Sequence, residues 1–146
     1  MKTVSKTARR ALLVVTVGIA TLLAWPPSSA RAEDVKVMLN GAQEVPPVTS
    51  SASGSGAISI GNDKAVSGSI TTTGVTGTMA HIHNGAAGKN GPVIVPLSKS
   101  GDDTWVVPPG AKLTDAQYKA FKAGDLYVNV HSAQHKGGEI RGQLKP

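Results

Sequence analysis

The hydrophobic residues of this chain form one continuous run near the N-terminus and many short segments after it. In those short segments apolar and polar residues alternate, and breaks rich in Gly, Pro, Asn and Asp separate them. This pattern is typical of short β-strands in a sandwich or barrel. We therefore predict an all-β fold, an antiparallel Greek-key-like β-sandwich. Its strands are predicted at residues 35–39, 54–60, 65–72, 78–83, 93–97, 104–107, 126–131 and 139–144.

One segment has the pattern of a short helix. Gln117 follows Thr114 at the spacing of a capping box, in which the two side chains satisfy free amides at a helix start. Tyr118 and Phe121 are three residues apart and are expected to face the core together. Gly124 is a natural stop. The predicted sandwich therefore includes one short helix.

Residues 1–32 have the three parts of a secretory signal peptide. The first ten residues contain basic but no acidic side chains, an apolar run follows at 11–25, and Ala30-Arg31-Ala32 provides small residues for a signal peptidase. A transmembrane anchor is the alternative, but the apolar run is shorter than the roughly 20 residues that a bilayer requires. We expect cleavage after Ala32. Residues 33–146 would then be an exported domain, periplasmic or secreted, without a stable membrane span.

Loss of this leader changes the charge of the chain. The whole chain has 15 Lys and Arg residues against 9 Asp and Glu residues. Five of the basic residues precede Glu33, which leaves ten basic against nine acidic side chains and a net charge of +1. A nearly neutral domain lacks the basic surface of nucleic-acid-binding proteins, so no nucleic-acid partner is predicted. The chain has no cysteine, which excludes thiolate catalysis, cysteine-ligated zinc and iron–sulfur clusters.

The four histidines fall into two close pairs, His81 with His83 and His131 with His135. Residues two apart on a strand project from the same face. His81 and His83 are therefore expected to point away from the core if Ile82 points into it. The same alternation places His131 opposite the valines of its own strand. We expect these imidazoles to share one polar side of the sandwich.

Clustered neutral imidazoles are typical ligands of zinc and copper. His81 and His83 on one rigid strand would bind a metal with little loss of entropy, and His131 would complete a usable site. His135 could supply a fourth ligand from the following loop. Copper is the favoured metal because it heads the divalent affinity order. The alternatives are zinc, or no metal, with the histidines hydrogen-bonded to loop carbonyls.

The last predicted strand alternates as well. Ile140 and Leu144 are expected to face inward, and Glu139, Arg141 and Gln143 outward. An ion pair between Glu139 and Arg141 is the simplest interpretation. Arg141 could instead lie near the histidines and attract a small anion, since its charge is permanent.

Four segments, residues 39–48, 80–88, 126–131 and 138–144, resemble the signature blocks of the CHRD domain family, in the family's order. The resemblance covers essentially all of residues 33–146. It implies a β-sandwich, in agreement with the alternation pattern, but it implies little about activity. Protein partners of chordin, from which the family takes its name, cannot be transferred to a stand-alone exported domain.

The arrangement of histidines and arginine is also similar to that of the copper–zinc superoxide dismutases, which are Greek-key sandwiches. This similarity implies that His81, His83 and His131 are metal ligands, that His135 could be a fourth, and that Arg141 is a catalytic guide for superoxide. Without cysteine the disulfide of those enzymes cannot form, and no separate zinc loop is recognisable. The hypothesis is therefore an exported copper-binding domain, with copper-only superoxide dismutase activity as its enzymatic form. The alternative is a non-catalytic extracellular binding or structural module with a structural metal or none.

Overall fold

The computed structural model describes residues 31–146, which form nine strands and one α-helix. A short 3₁₀ turn, Gly41–Gln43, follows the first strand, and helix α1 spans Asp115–Lys122. The strands are β1 (Ala32–Asn40), β2 (Ser53–Gly61), β3 (Val66–Thr73), β4 (Gly77–Asn84), β5 (Val93–Pro96), β6 (Ser98–Lys99), β7 (Thr104–Val106), β8 (Leu126–Ser132) and β9 (Ile140–Leu144).

The strands form one antiparallel sheet in the order β5-β4-β8-β9-β1-β2-β3-β7-β6. Its two halves meet at β1 and β9, which share only the pair Asn40 and Arg141. The two edge strands, β5 and β6, follow each other in the chain with only Leu97 between them. The Leu97 amide also donates to the Ala80 carbonyl at 2.9 Å. The sheet therefore curls round until its two edges nearly meet.

Both halves of the sheet contribute to a single apolar core. On β1, Val35, Val37 and Leu39 are buried while the residues between them are exposed, as period-two alternation requires. Ile82 on β4 and Ile140 on β9 are fully buried from the other half. These side chains belong to one contiguous cluster. The histidine-bearing strands are thus anchored on their inner faces, which leaves their outer faces available for a site.

The predicted all-β, antiparallel architecture with one short helix is confirmed. Each of the eight predicted strand segments corresponds to a strand of the sheet. The structure has one further strand, β6, which was not predicted because two residues are too few to establish an alternating pattern. The predicted signal peptide lies almost entirely in residues 1–30, outside the described residues. Within residues 31–146 no helix has the length and apolarity to cross a bilayer.

Helix α1 has the predicted capping box. The Gln117 amide donates to Thr114 Oγ1 at 3.2 Å, and the Thr114 amide donates to Gln117 Oε1 at 2.8 Å. Phe121 is fully buried, whereas Tyr118 is only partly buried. The helix ends before Gly124, whose φ of 78° lies in the left-handed region that favours glycine. Phe121 therefore attaches the helix to the core.

Replacement of Thr114 with alanine is expected to lower the free energy of unfolding by about 1 kcal/mol, the typical value of an N-cap hydroxyl. Chemical denaturation would measure the change. Thr76→Ala is the control, since Thr76 is exposed in the loop between β3 and β4. Equal losses in the two variants would show that the capping box does not stabilise the helix.

Candidate metal centre

Strand pairing brings the two histidine-bearing strands side by side. β4 and β8 are antiparallel neighbours, with His81 opposite Asn129 and His83 opposite Tyr127. His131 lies two pairs further along β8, opposite Met79. Ala80 and Ile82, which alternate with the histidines of β4, are buried in the core. The predicted common face of His81, His83 and His131 is therefore confirmed.

The three histidine rings are close enough to converge on one ion. His81 Nδ1 lies 3.0 Å from His131 Nε2. Each of the three residues offers one ring nitrogen within 4.8 Å of those of the other two. The ring centroid of His83 lies 5.5 Å from that of His81 and 6.3 Å from that of His131. Three imidazoles in this arrangement could hold a single metal ion.

Backbone carbonyls determine the tautomers of two of these histidines. His83 Nδ1 lies 2.9 Å from the Gly91 carbonyl, and His131 Nδ1 lies 2.9 Å from the Lys136 carbonyl. A carbonyl only accepts, so both Nδ1 atoms carry the hydrogen and both Nε2 atoms keep a lone pair. Metal-binding histidines are usually oriented by such a bond from their other nitrogen.

His83 Nε2 is a buried acceptor without a partner. The side chain is only 8% exposed, and no described residue donates a hydrogen bond to this nitrogen. An unsatisfied buried polar atom costs roughly 1–3 kcal/mol. A metal ion at this nitrogen would satisfy the lone pair, so the donor set fits a metal such as copper or zinc.

His81 and His131 are hydrogen-bonded to each other. Because His131 Nε2 is an acceptor, His81 Nδ1 must donate to it across their 3.0 Å separation. A metal ion that bound both nitrogens would replace this hydrogen bond. The bond is thus also compatible with histidines that have a purely structural role.

Burial lowers the pKa of His81, and the neighbouring His131 and His83 lower it further. Burial likewise lowers the pKa of His83, although its hydrogen bond to Gly91 and the neighbouring Asn129 side chain oppose the change. Both imidazoles therefore remain neutral to a lower pH than the ordinary pKa of 6.5 would allow. The neutral form is the one that binds metals.

His135, predicted as a fourth ligand, lies outside the group of three. The chain leaves the sheet after Ser132 and turns, so alternation along β8 no longer determines the position of His135. Its side chain lines a surface cavity with Gln134 and Glu139 instead. The amide of His135 donates to Ser132 Oγ at 3.1 Å, which ties the turn to the end of β8.

Arg141 is buried, which corrects the prediction that it faces solvent. The residue is 1% exposed, and its Cζ lies 3.4 Å from the centroid of the Tyr127 ring. Arg141 does project away from the core, but the loop of residues 84–91 folds over that face of the sheet. The guanidinium donates to the Ala86 carbonyl at 3.1 Å, to Gln143 Oε1 at 3.2 Å and to Asn90 Oδ1 at 3.4 Å.

The predicted ion pair between Glu139 and Arg141 does not form. Glu139 is also buried, at 9% exposure, and its Oε1 accepts a hydrogen bond from the Ser50 hydroxyl at 2.7 Å. Alternation therefore indicated the correct side of β9 for Arg141, whereas Glu139 lies just before the strand. It could not indicate that loops cover this side or that the two side chains have different partners.

Two buried polar residues near the histidines were not predicted. Glu44 and Asn129 are 4% and 2% exposed, and neither Glu44 Oε1 nor Asn129 Oδ1 has a hydrogen-bond partner among the described residues. Burial raises the pKa of Glu44, while the charge of Arg141 and the Asn129 amide oppose this. Gly138 packs against both side chains. Glu44 and Asn129 lie inside the segments 39–48 and 126–131, which resemble signature blocks of a known family. This resemblance was the sequence signal that could have identified the two residues.

Comparison with known proteins gives one family. The family described as CHRD domain matches residues 35–144, a range that contains the histidine group, Arg141 and both unpredicted polar residues. Comparison with the curated proteins and with the solved structures gives no match.

Proposed function

This chain belongs to the CHRD domain family, and from that premise we propose that it binds a transition metal ion, copper, through His81, His83 and His131. One observation carries the proposal. His83 Nε2 is a buried lone pair with no partner among the described residues, on a ring that the Gly91 carbonyl holds at Nδ1, and His83 belongs to the group of three histidines with ring nitrogens within 4.8 Å of one another. Imidazole nitrogens suit copper, which also heads the divalent affinity order.

The enzymatic form of this proposal is a copper-only superoxide dismutase. Bound copper would supply one-electron chemistry by alternating between Cu(II) and Cu(I), and dismutation converts two superoxide ions and two protons into O₂ and H₂O₂. His83 and His131 are buried, whereas His81 is only partly buried, so access for a small anion is expected on the side of His81. Arg141 has too little exposure for direct contact and would attract the anion only through its field.

The place of action in this proposal is outside the cytoplasm. It depends on the predicted signal peptide at residues 1–32 and on a mature domain of residues 33–146, periplasmic or secreted. The near neutrality of that domain agrees with a small-anion substrate and does not favour a polyanion.

A non-catalytic module is the second candidate function. The hydrogen bond between His81 and His131 favours it, because two of the three imidazoles are satisfied without a metal. In this candidate the histidines hold β4 and β8 together, or bind zinc, which prefers nitrogen ligands and has no redox chemistry.

Superoxide decay measured by stopped flow with the untagged chain, loaded separately with copper and with zinc, distinguishes these functions. The proposed enzyme predicts catalytic decay with the copper form and none with the zinc form. A copper-loaded chain that leaves the decay rate unchanged would refute the dismutase and support the binding module.

The metal-free chain is expected to lose stability as the pH falls below about 6.5. Because the folded pKa values of His81 and His83 are lowered, the unfolded chain takes up protons first as the pH falls. Stability then decreases through the interval between the unfolded and folded pKa values. Chemical denaturation from neutral to mildly acidic pH would measure this, with the variant His81→Gln/His83→Gln as control. Identical pH dependence in both proteins would contradict the prediction.

A further inference from the structure

A continuous stack of three side chains leads from the histidine group to the buried arginine. The rings of His83 and Tyr127 are nearly parallel, with an interplanar angle of 6° and centroids 4.7 Å apart. Arg141 Cζ lies 3.4 Å from the Tyr127 centroid. Since β4 and β9 pair with opposite edges of β8, His83 and Arg141 approach the tyrosine from opposite sides.

The stack is held rigidly by the loop of residues 84–91. Tyr127 is 2% exposed, and its hydroxyl accepts a hydrogen bond from the Gly91 amide at 3.3 Å. The carbonyl of the same Gly91 orients His83. Ala86 and Asn90 of this loop accept hydrogen bonds from the guanidinium. One loop therefore fixes all three members of the stack.

Arg141 forms no ion pair with a carboxylate of residues 31–146, and the buried Glu44 carboxyl interacts with its charge only from beyond 4.0 Å. Within residues 31–146, the ion pairs shorter than 4.0 Å are Lys64 with Asp115 and Lys122 with Glu33, and neither involves the arginine. Its hydrogen-bond acceptors are all neutral oxygens. A permanent positive charge is thus kept in a buried position one aromatic ring away from a metal-binding histidine.

A fixed positive charge in a poorly solvated site favours the lower charge on a neighbouring group. A cation over an aromatic face also draws on the electron density of that ring. Resting on the copper site proposed above, we propose that Arg141 acts through Tyr127 as a positioning residue that raises the reduction potential of copper held by the three histidines. The stack would therefore favour Cu(I) over Cu(II).

Competition titrations with Cu(I) and Cu(II) chelators test this on the full chain. Arg141→Met keeps an unbranched apolar stem and removes the charge, so the ratio of Cu(I) to Cu(II) affinity should fall about tenfold, equivalent to about 59 mV for a one-electron couple. Arg141→Lys keeps the charge, so its ratio of Cu(I) to Cu(II) affinity should remain close to that of the wild-type chain. A loss confined to packing would instead affect both variants equally.

Asn90→Asp provides a second variant if Arg141→Met does not fold. Asn90 is exposed, and its Oδ1 already lies 3.4 Å from Arg141 Nη1, so a carboxylate at this position would neutralise the guanidinium. The affinity ratio should again fall, by less than in Arg141→Met. Asn62→Asp, at an exposed residue that contacts Tyr118 of helix α1, makes the same charge change elsewhere and should leave the ratio unchanged.

The outcomes separate this inference from the proposed function. If the wild-type chain binds no copper, both are refuted. A second outcome is that the wild-type chain and all the variants bind copper. If Arg141→Met then has the same ratio of Cu(I) to Cu(II) affinity as Asn62→Asp, only the inference is refuted. Asn90→Asp replaces Arg141→Met in this comparison if Arg141→Met does not fold. A lower ratio in these variants, with Asn62→Asp equal to wild type, supports it.

Discussion

The variant His81→Gln/His83→Gln is expected to bind copper more than about a hundredfold more weakly than the wild-type chain. Loss of a residue that merely orients a ligand typically costs roughly 10–100-fold in metal affinity, and this variant removes two of three direct ligands. Glutamine is preferred to alanine because His83 is buried and stacks on Tyr127, so a small side chain would leave a cavity. Competition with a chelator of known affinity would measure the change.

His135→Gln is the matched control for that experiment. It also removes an imidazole, but His135 lies outside the group of three, so copper affinity should remain at the wild-type level. Thermal unfolding of both metal-free variants would verify that the fold is retained. Wild-type affinity in the double variant, or an equal loss in His135→Gln, would refute the assignment of the ligands.

The second large effect is expected at Gly138, beneath the site. A Cβ atom here would overlap Glu44 Oε1 and lie 2.7 Å from Asn129 Nδ2, and the φ of 129° is rarely adopted by other residues. Gly138→Ala must therefore adopt a strained backbone and displace a buried carboxylate and amide. Backbone strain of this kind costs on the order of 1–3 kcal/mol, and the crowding adds to it. Chemical denaturation should show the loss.

Substitutions at two other glycines separate the cost of backbone strain from the cost of crowding. At Gly137 an added Cβ would meet no atom within 4 Å, and φ is not positive, so Gly137→Ala should be nearly neutral. Gly88 has a φ of 77° but also open space, so Gly88→Ala should incur only the backbone strain. A loss in Gly138→Ala no greater than in Gly88→Ala would show that the buried Glu44 and Asn129 do not constrain this position.

Much of the fold could be predicted because strands with one buried face have a local signal. Period-two alternation identified the strand at 35–39 and placed Ile82 on the side opposite His81 and His83, and the capping box at Thr114 located the helix. The shared face of His81 and His83 followed from the same period. Alternation cannot show which other parts of the chain cover each face of a strand.

The features that the sequence did not reveal have this common cause. Arg141 was placed on the correct side of its strand, but its burial results from the loop of residues 84–91, which has no periodic pattern. His135 was grouped with His131 by sequence distance, but the turn after β8 leaves it outside the group of three. Glu44 lies shortly before two prolines in an irregular segment, where no local pattern indicates a buried carboxylate.

The role of Arg141 changes accordingly. An exposed guanidinium would bind an anion directly, whereas the buried one is bound to neutral oxygens and to Tyr127. In the proposed copper site its charge would influence both an incoming anion and the histidine ligands without movement of the side chain. This makes the loop of residues 84–91 part of the site, although none of its residues belongs to the histidine group.

The most direct test is metal content. The untagged chain would be stripped of metal and titrated with Cu(II) and with Zn(II), and bound metal measured after gel filtration. We expect one equivalent of copper per chain, retained against a weak chelator and absent from His81→Gln/His83→Gln. If no stoichiometric metal is retained, the three histidines are structural and the copper site is refuted.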